Sequence, residues 1–249
     1  MEIINSSQQA LYERYDKNTA AEDIRRYGRI LGEYLGRPDL RILDIGGASG
    51  NFALALADYF GGSAEIYVLD SADYPTWLDD AYSSRITFVR ASVEELNSVF
   101  GGGKKFDLIF ANRVFHHFIV RGWRKTLRGM DKVLTDIRGL LADNGTLCVK
   151  DHFYNGAVFD SAASFMIYTL TTCRIPAVAK VVQKNGAHSA GVGVCFQSRR
   201  MWTDRITKNG FVIGDIDARP YKRLSKKKRL LLLCREYSFE NIIYAKKSV

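Results

Sequence analysis

The sequence predicts an α/β protein built on a doubly wound, mostly parallel sheet of seven strands. Three observations carry that expectation. Strand-like apolar runs alternate with helix-like segments along the chain. A glycine-rich turn, Asp44-Ile45-Gly46-Gly47-Ala48-Ser49-Gly50, follows the first run. Carboxylates, Asp44 and Asp70, stand at the ends of the first two runs, where sheets of this kind bind their ligands.

In chain order, Leu11 to Asp16 reads as a short helix or lid, with Tyr12 and Tyr15 placed to close over a ligand or to join the core. Ile24, Tyr27, Leu31 and Leu35 recur at three- and four-residue steps, which predicts a helix with one face on the core. Strands are expected at Arg41–Ile45, Glu65–Leu69, Ile86–Arg90, Phe106–Phe110, Gly145–Lys150, Phe211–Asp217 and Phe239–Ala245. The longest helix should run from about Arg121 to Leu141. Its charges (Arg121, Arg124, Lys125, Arg128, Lys132) lie opposite Trp123, Leu127, Met130, Leu134, Ile137 and Leu141, as on an amphipathic surface helix. Residues 151–210 exceed what one crossover helix needs. Their apolar stretch Phe159–Leu170 and glycine-rich loop 186–193 read as an insertion that covers substrate.

The 249 residues suffice for one well-filled domain plus an insertion. An apolar share of 47% and a charged share of 25% are ordinary for a globular chain. No apolar run reaches bilayer-spanning length, and the N-terminus lacks a secretory pattern, so a cytoplasmic protein is expected. Cys148, Cys173, Cys195 and Cys234 form no Cys-x-x-Cys pair and read as free thiols. The net charge of +9 is concentrated at one end, since ten Lys/Arg from Arg219 onward face only Glu236 and Glu240. The segment Arg219–Arg229 reads as a basic hairpin loop between the last two strands.

The turn after the first strand suits close approach of a ligand to the backbone, at a helix start with unpaired N–H groups. An acidic residue before that turn favours a ligand with a positive amino group over a bare pyrophosphate. Asp70 lies twenty residues beyond Gly50, the spacing at which a carboxylate accepts ribose hydroxyls. A dinucleotide dehydrogenase shares that spacing. Ala48 and Asn51, however, stand where its glycines are wanted, and no Tyr-x-x-x-Lys pair occurs.

Together these residues resemble motif I and the following acidic site of the class I S-adenosylmethionine-dependent methyltransferases of small-molecule type. The resemblance covers about residues 41–155. It implies a Rossmann-like methyltransferase fold with an antiparallel last strand and a helical insertion or lid. It also implies S-adenosylmethionine as cofactor and S-adenosylhomocysteine as product. The implied cofactor set is Asp44, Gly46, Gly47, Ala48, Gly50, Asp70, Ser71, Ser92, Val93, Asn112 and Arg113. Ser92 stands where many relatives carry Asp against the adenine.

Ala111 to Phe118 follows the fourth strand and resembles the Val-x-His-(Asp/Asn)-Trp run of natural-product O-methyltransferases, with His116 on the histidine that acts as base there. His117 and Phe118 replace the Asp/Asn and the Trp. His116 therefore reads either as a general base or as a histidine that packs the loop. Asp151, at the end of the fifth strand, either joins that chemistry with His117 or caps the next turn. Tyr15, His152 and Tyr154 are candidates for substrate contact. The four histidines (116, 117, 152 and 188) show no helical metal-ligand spacing, and no metal is expected.

The expected activity is methyl transfer to a small molecule, at oxygen. The expected organisation is one domain: residues 1–40 as N-terminal helices, 41–150 as cofactor core, 151–210 as insertion, and 211–249 as C-terminal strands. The main rival is an RNA methyltransferase using the basic segment. After the fourth strand, however, the chain has Ala-Asn-Arg-Val instead of an Asn/Asp-Pro-Pro-aromatic run, and no cysteine for attack on a base. A cofactor-binding regulator without turnover is a further alternative.

Overall fold

A computed structural model describes residues 17–184 and 189–248. Tyr12, Tyr15 and His188 lie outside the described residues. The elements, in order, are α1 (Lys17–Gly32), β1 (Leu40–Ile45), α2 (Asn51–Tyr59), β2 (Ala64–Asp70), β3 (Ile86–Arg90), β4 (Phe106–Asn112), α3 (Trp123–Leu140), β5 (Leu141–Phe153), α4 (Asp160–Thr172), α5 (Pro176–Lys184), α6 (Arg199–Lys208), β6 (Phe211–Arg223), α7 (Lys226–Leu232) and β7 (Tyr237–Lys247). The seven strands form one sheet in the order β3-β2-β1-β4-β5-β7-β6. All seven expected strands are present, and β7 runs antiparallel to β6.

Two compact units can be described. The first comprises residues up to 111 together with 139–146; the second comprises 112–138 together with 147 onward. In the first, β1 pairs in parallel with β2 and β4, and β2 in parallel with β3. Every β1 residue except Arg41 is buried, the pattern of a parallel strand covered on both faces. Tyr27 of α1, Phe52 of α2 and Phe110 of β4 meet edge-on or tilted, with ring centres 4.9–5.6 Å apart. Burying each such ring stabilises the fold by about 2–3 kcal/mol. The buried stripe of α1 is Ala20, Tyr27, Ile30 and Leu31. Leu35 departs from expectation. The helix ends at Gly32, and Leu35 is 55% exposed in the turn beyond it, while Tyr34 takes the inward place with its hydroxyl 2.9 Å from Thr146 Oγ1.

In the second unit, α3 buries Thr126, Met130, Val133, Leu134 and Ile137 and exposes Arg121, Arg124, Lys125, Arg128 and Lys132 or leads with them into solvent, as its amphipathic pattern predicts. The insertion folds as α4 and α5, followed by a segment that pairs back to the strand end. Tyr154 N donates to Gln197 O at 3.0 Å, and Cys195 N to His116 O at 2.8 Å. Ala163 and Ile167 of α4 pack with Val194, Leu224 and Cys234, and Tyr154, Phe196 and Leu232 close this cluster. The basic segment is not a loop. β6 continues through Arg223, paired as far as Tyr237, and Lys226–Leu232 then winds into α7, whose cap Ser225 accepts from Lys228 N. Past Asp217 the side chains of β6 are all exposed, and backbone pairing with β7 carries the strand on where local apolar content alone would have ended it.

Candidate functional site

In the first unit, the turn after β1 is built for close approach. Gly46 (φ 69°), Ala48 (φ 49°) and Gly50 (φ 84°) all adopt left-handed backbone, and Gly50 hands the chain to α2. Gly46 N donates to Leu69 O at 2.7 Å, which ties the turn to β2. A β-carbon on Gly50 would reach 2.8 Å from the Phe88 ring. One on Gly47 would stand 2.9 Å from Cγ of Asp44 and collide with its carboxylate oxygen.

Asp44 itself is 1% exposed, and neither carboxylate oxygen has a hydrogen-bond partner among the described residues. Burial pushes its pKa well above the ordinary carboxylate range, and Asp70 and Asp23 push it further. Asp70 is satisfied by backbone: Oδ2 accepts Ala48 N and Oδ1 accepts Ala72 N, each at 3.0 Å. Burial raises its pKa, and N–H groups of Ala72, Ala48 and Ser71 oppose that rise. Ser92 forms a capping box, with its N donating to Glu95 Oε2 at 2.7 Å and its hydroxyl accepting from Glu94 N, ahead of Val93.

Two residues that the sequence reading passed over hold this turn from above. Thr76 Oγ1 donates to Ser49 O at 2.6 Å, and Trp77 Nε1 to Ala48 O at 2.9 Å. Trp77 also stacks on Phe88 at 4.8 Å, and Tyr82 donates to Asn51 Oδ1 at 2.7 Å. The available signal was Pro75, which starts the short helical turn that carries them.

In the second unit, a different cluster follows the ends of β4 and β5. Arg113 (φ 54°) donates its N to Lys150 O at 2.7 Å, and its guanidinium grips Glu240 Oε1 through Nε at 2.9 Å and Nη2 at 2.5 Å. Lys150, 1% exposed, lies 3.6 Å from the other Glu240 oxygen. Arg113, expected against cofactor, is thus engaged by Glu240 of β7.

His116 and Asp151 are brought together. Nδ1 of His116 lies 2.7 Å from Oδ1 of Asp151, with both side chains buried. Asp151 Oδ1 also accepts His152 N at 2.7 Å. Phe196 stacks on the His116 ring at 4.5 Å, and His117, which is exposed, tilts against it at 4.0 Å. His152 lies against Tyr221 at 4.1 Å, and its buried Nδ1 has no hydrogen-bond partner among the described residues. Burial lowers its pKa to about 4, an effect that nearby Asp151 partly opposes. Tyr154 packs on Phe196 at 5.0 Å, and burial pushes its hydroxyl up to about 12. The cysteines are free. Burial raises Cys195 to about 11 and Cys234 to about 12, so neither is a nucleophile at neutral pH. Phe196, Tyr221 and Glu240 come from segments far along the chain, and nothing local marked them.

Residues 43–147 match a family model described as a methyltransferase domain. No curated protein matches the sequence. Among solved structures, an arsenic(III) S-adenosylmethionine methyltransferase from Chlamydomonas reinhardtii is similar at 18% identity and TM-score 0.53, over 86% of this chain and 65% of that one. An O-methyltransferase family protein from Burkholderia thailandensis is similar at 14% identity and TM-score 0.52, over 98% and 64%. A 1,6-didemethyltoxoflavin N1-methyltransferase from Burkholderia thailandensis, with S-adenosylhomocysteine bound, is similar at 18% identity and TM-score 0.53, over 100% and 93%. The chain spans less than two thirds of the first two. The three act at different elements, so the shared fold leaves the acceptor atom open.

Proposed function

Because residues 43–147 match a family model described as a methyltransferase domain, we propose that the chain transfers the methyl group of S-adenosylmethionine to an oxygen of a small-molecule acceptor. When bound, the cofactor supplies a sulfonium-activated methyl group and a positively charged amino group. Asp44 would hold that amino group, since its buried carboxylate has no hydrogen-bond partner among the described residues. Gly46, Gly47, Ala48 and Gly50 would line it with backbone, three of the four having no side chain. Asp70 accepts Ala48 N on Oδ2 and Ala72 N on Oδ1, and the remaining lone pairs of its carboxylate would take the ribose hydroxyls. Ser71, Ser92 and Val93 would complete the cradle on this unit.

The oxygen assignment rests on the 2.7 Å bond between His116 and Asp151. With Asp151 accepting from Nδ1–H, the Nε2 lone pair is left as base, and the carboxylate stabilises the imidazolium formed when a proton arrives. A hydroxyl acceptor must shed a proton as its new C–O bond forms; an amine needs that help less. His152, Tyr154 and Phe196 would wall an aromatic acceptor, and α4 with residues 194–197 would cover it. His117 would sit at the margin.

The test is turnover with phenolic and amine acceptors in wild type and His116→Ala, beside calorimetry for S-adenosylmethionine. The expected result is a loss of about 10²–10⁴ in kcat on phenols, with cofactor affinity unchanged. Methylation of amines but not phenols by the wild type would sink the oxygen reading.

A further inference from the structure

One face of the second unit joins large exposed apolar side chains to a run of cations. Ala157 N donates to Leu233 O at 2.7 Å, and Gly156 bridges Cys234. Arg235 donates N to Asn155 O at 2.9 Å and Nε to Gly156 O at 3.2 Å. These bonds hold residues 155–159 beside residues 226–235. The inner side of α7 rests on the buried cluster through Leu232, next to Tyr154 and Phe196. Its outer side leaves Leu230 79% and Leu231 45% exposed, while across the contact Val158 is 82% and Phe159 69% exposed. Lys226 and Lys227 stand in solvent at the start of the same helix, and no acidic residue occurs from Arg219 to Arg235. Phe159 also walls an open cleft of about 580 Å³ with Trp123, Arg124 and Phe165.

We propose that this face docks on an anionic lipid bilayer, with Val158, Phe159, Leu230 and Leu231 entering the acyl boundary and Lys226 and Lys227 meeting lipid phosphates. Exposed apolar side chains on two adjoining segments, beside same-sign cations, are the chemistry of an interfacial lipid contact. An RNA strand would reward the cations and would stack on aromatic rings, but it gives no return for exposed Val158, Leu230 and Leu231. Among the described residues no single helix is long and apolar enough to cross a membrane. Docking here does not depend on which acceptor is methylated.

The experiment is cosedimentation of the full chain with phosphatidylcholine vesicles, with and without phosphatidylglycerol, over a range of salt. Binding is expected only with phosphatidylglycerol and should weaken as salt rises. It should fall about tenfold in Lys226→Gln/Lys227→Gln and by a similar factor in Val158→Asp/Leu230→Asp. Both double variants alter exposed positions, and unchanged thermal melting would show that they fold. Three results overturn the proposal: no vesicle binding; vesicle binding indifferent to Val158→Asp/Leu230→Asp; or salt-sensitive binding to single-stranded RNA without binding to vesicles.

Discussion

A β-carbon at position 47 would stand 2.9 Å from Cγ of Asp44 and 3.0 Å from Cγ1 of Val68. The glycine therefore determines where the Asp44 carboxyl can lie. Gly47→Ala should push that carboxyl off its position and strain the strand end by about 1–3 kcal/mol. Calorimetry should show S-adenosylmethionine affinity reduced by about tenfold or more. Unchanged affinity would place the cofactor's amino group elsewhere.

Asp44→Asn separates stability from binding. Burial raises the folded pKa of Asp44 above its unfolded value. Its contribution is therefore complete below the unfolded pKa and is lost as pH rises through the folded one, leaving a buried uncompensated charge above that. The ligand-free variant should be more stable than wild type at neutral pH, by on the order of 1–3 kcal/mol in urea unfolding. The same change should lower cofactor affinity, because the amino group loses its counter-charge. In wild type that affinity should rise with pH over the window in which Asp44 ionises. A variant that is both less stable and fully competent to bind would contradict this account.

Trp77→Phe tests the brace above the turn. The ring stack on Phe88 survives, and the Nε1–H bond to Ala48 O at 2.9 Å is lost. A cost of about 1 kcal/mol in unfolding free energy is expected, with a several-fold weaker cofactor affinity as the turn loosens. Equal affinity would mean that Asp70 and Gly46 suffice to hold it.

The elements legible in the sequence were those whose signal is local. The β1 run, the glycines after it and Asp70 at the next strand end lie within about thirty residues, and their chemistry requires them at that spacing. The α3 stripe was legible because 3.6-residue periodicity sorts its charges from Met130, Leu134 and Ile137. Pairings across long separations were not. Glu240 meets Arg113 across 127 residues, and Phe196 reaches His116 only because residues 194–197 fold back along the end of β5. The basic segment misled for a related reason. Its lysines say nothing about secondary structure, whereas cross-strand pairing with β7 and the Ser225 cap decide it. Leu35 fell on the helical stripe by count alone, but its helix had already ended at Gly32.

His152 supplies a pH test confined to one side chain. Burial lowers its folded pKa to about 4, below the ordinary histidine value of 6.5. The unfolded chain therefore binds a proton that the folded chain refuses between those limits. Stability from this group is fully present above pH 6.5 and is lost as pH falls toward about 4. His152→Phe keeps a ring against Tyr221 and Phe196 and removes the titration. The difference in unfolding free energy between wild type and variant should therefore shift by about 2–3 kcal/mol in favour of the variant from pH 7 to pH 4. Asp44 titrates in both proteins and cancels in that difference. Parallel stability curves across the window would mean that protonated His152 is tolerated in the fold, by water or by Asp151 turning toward it.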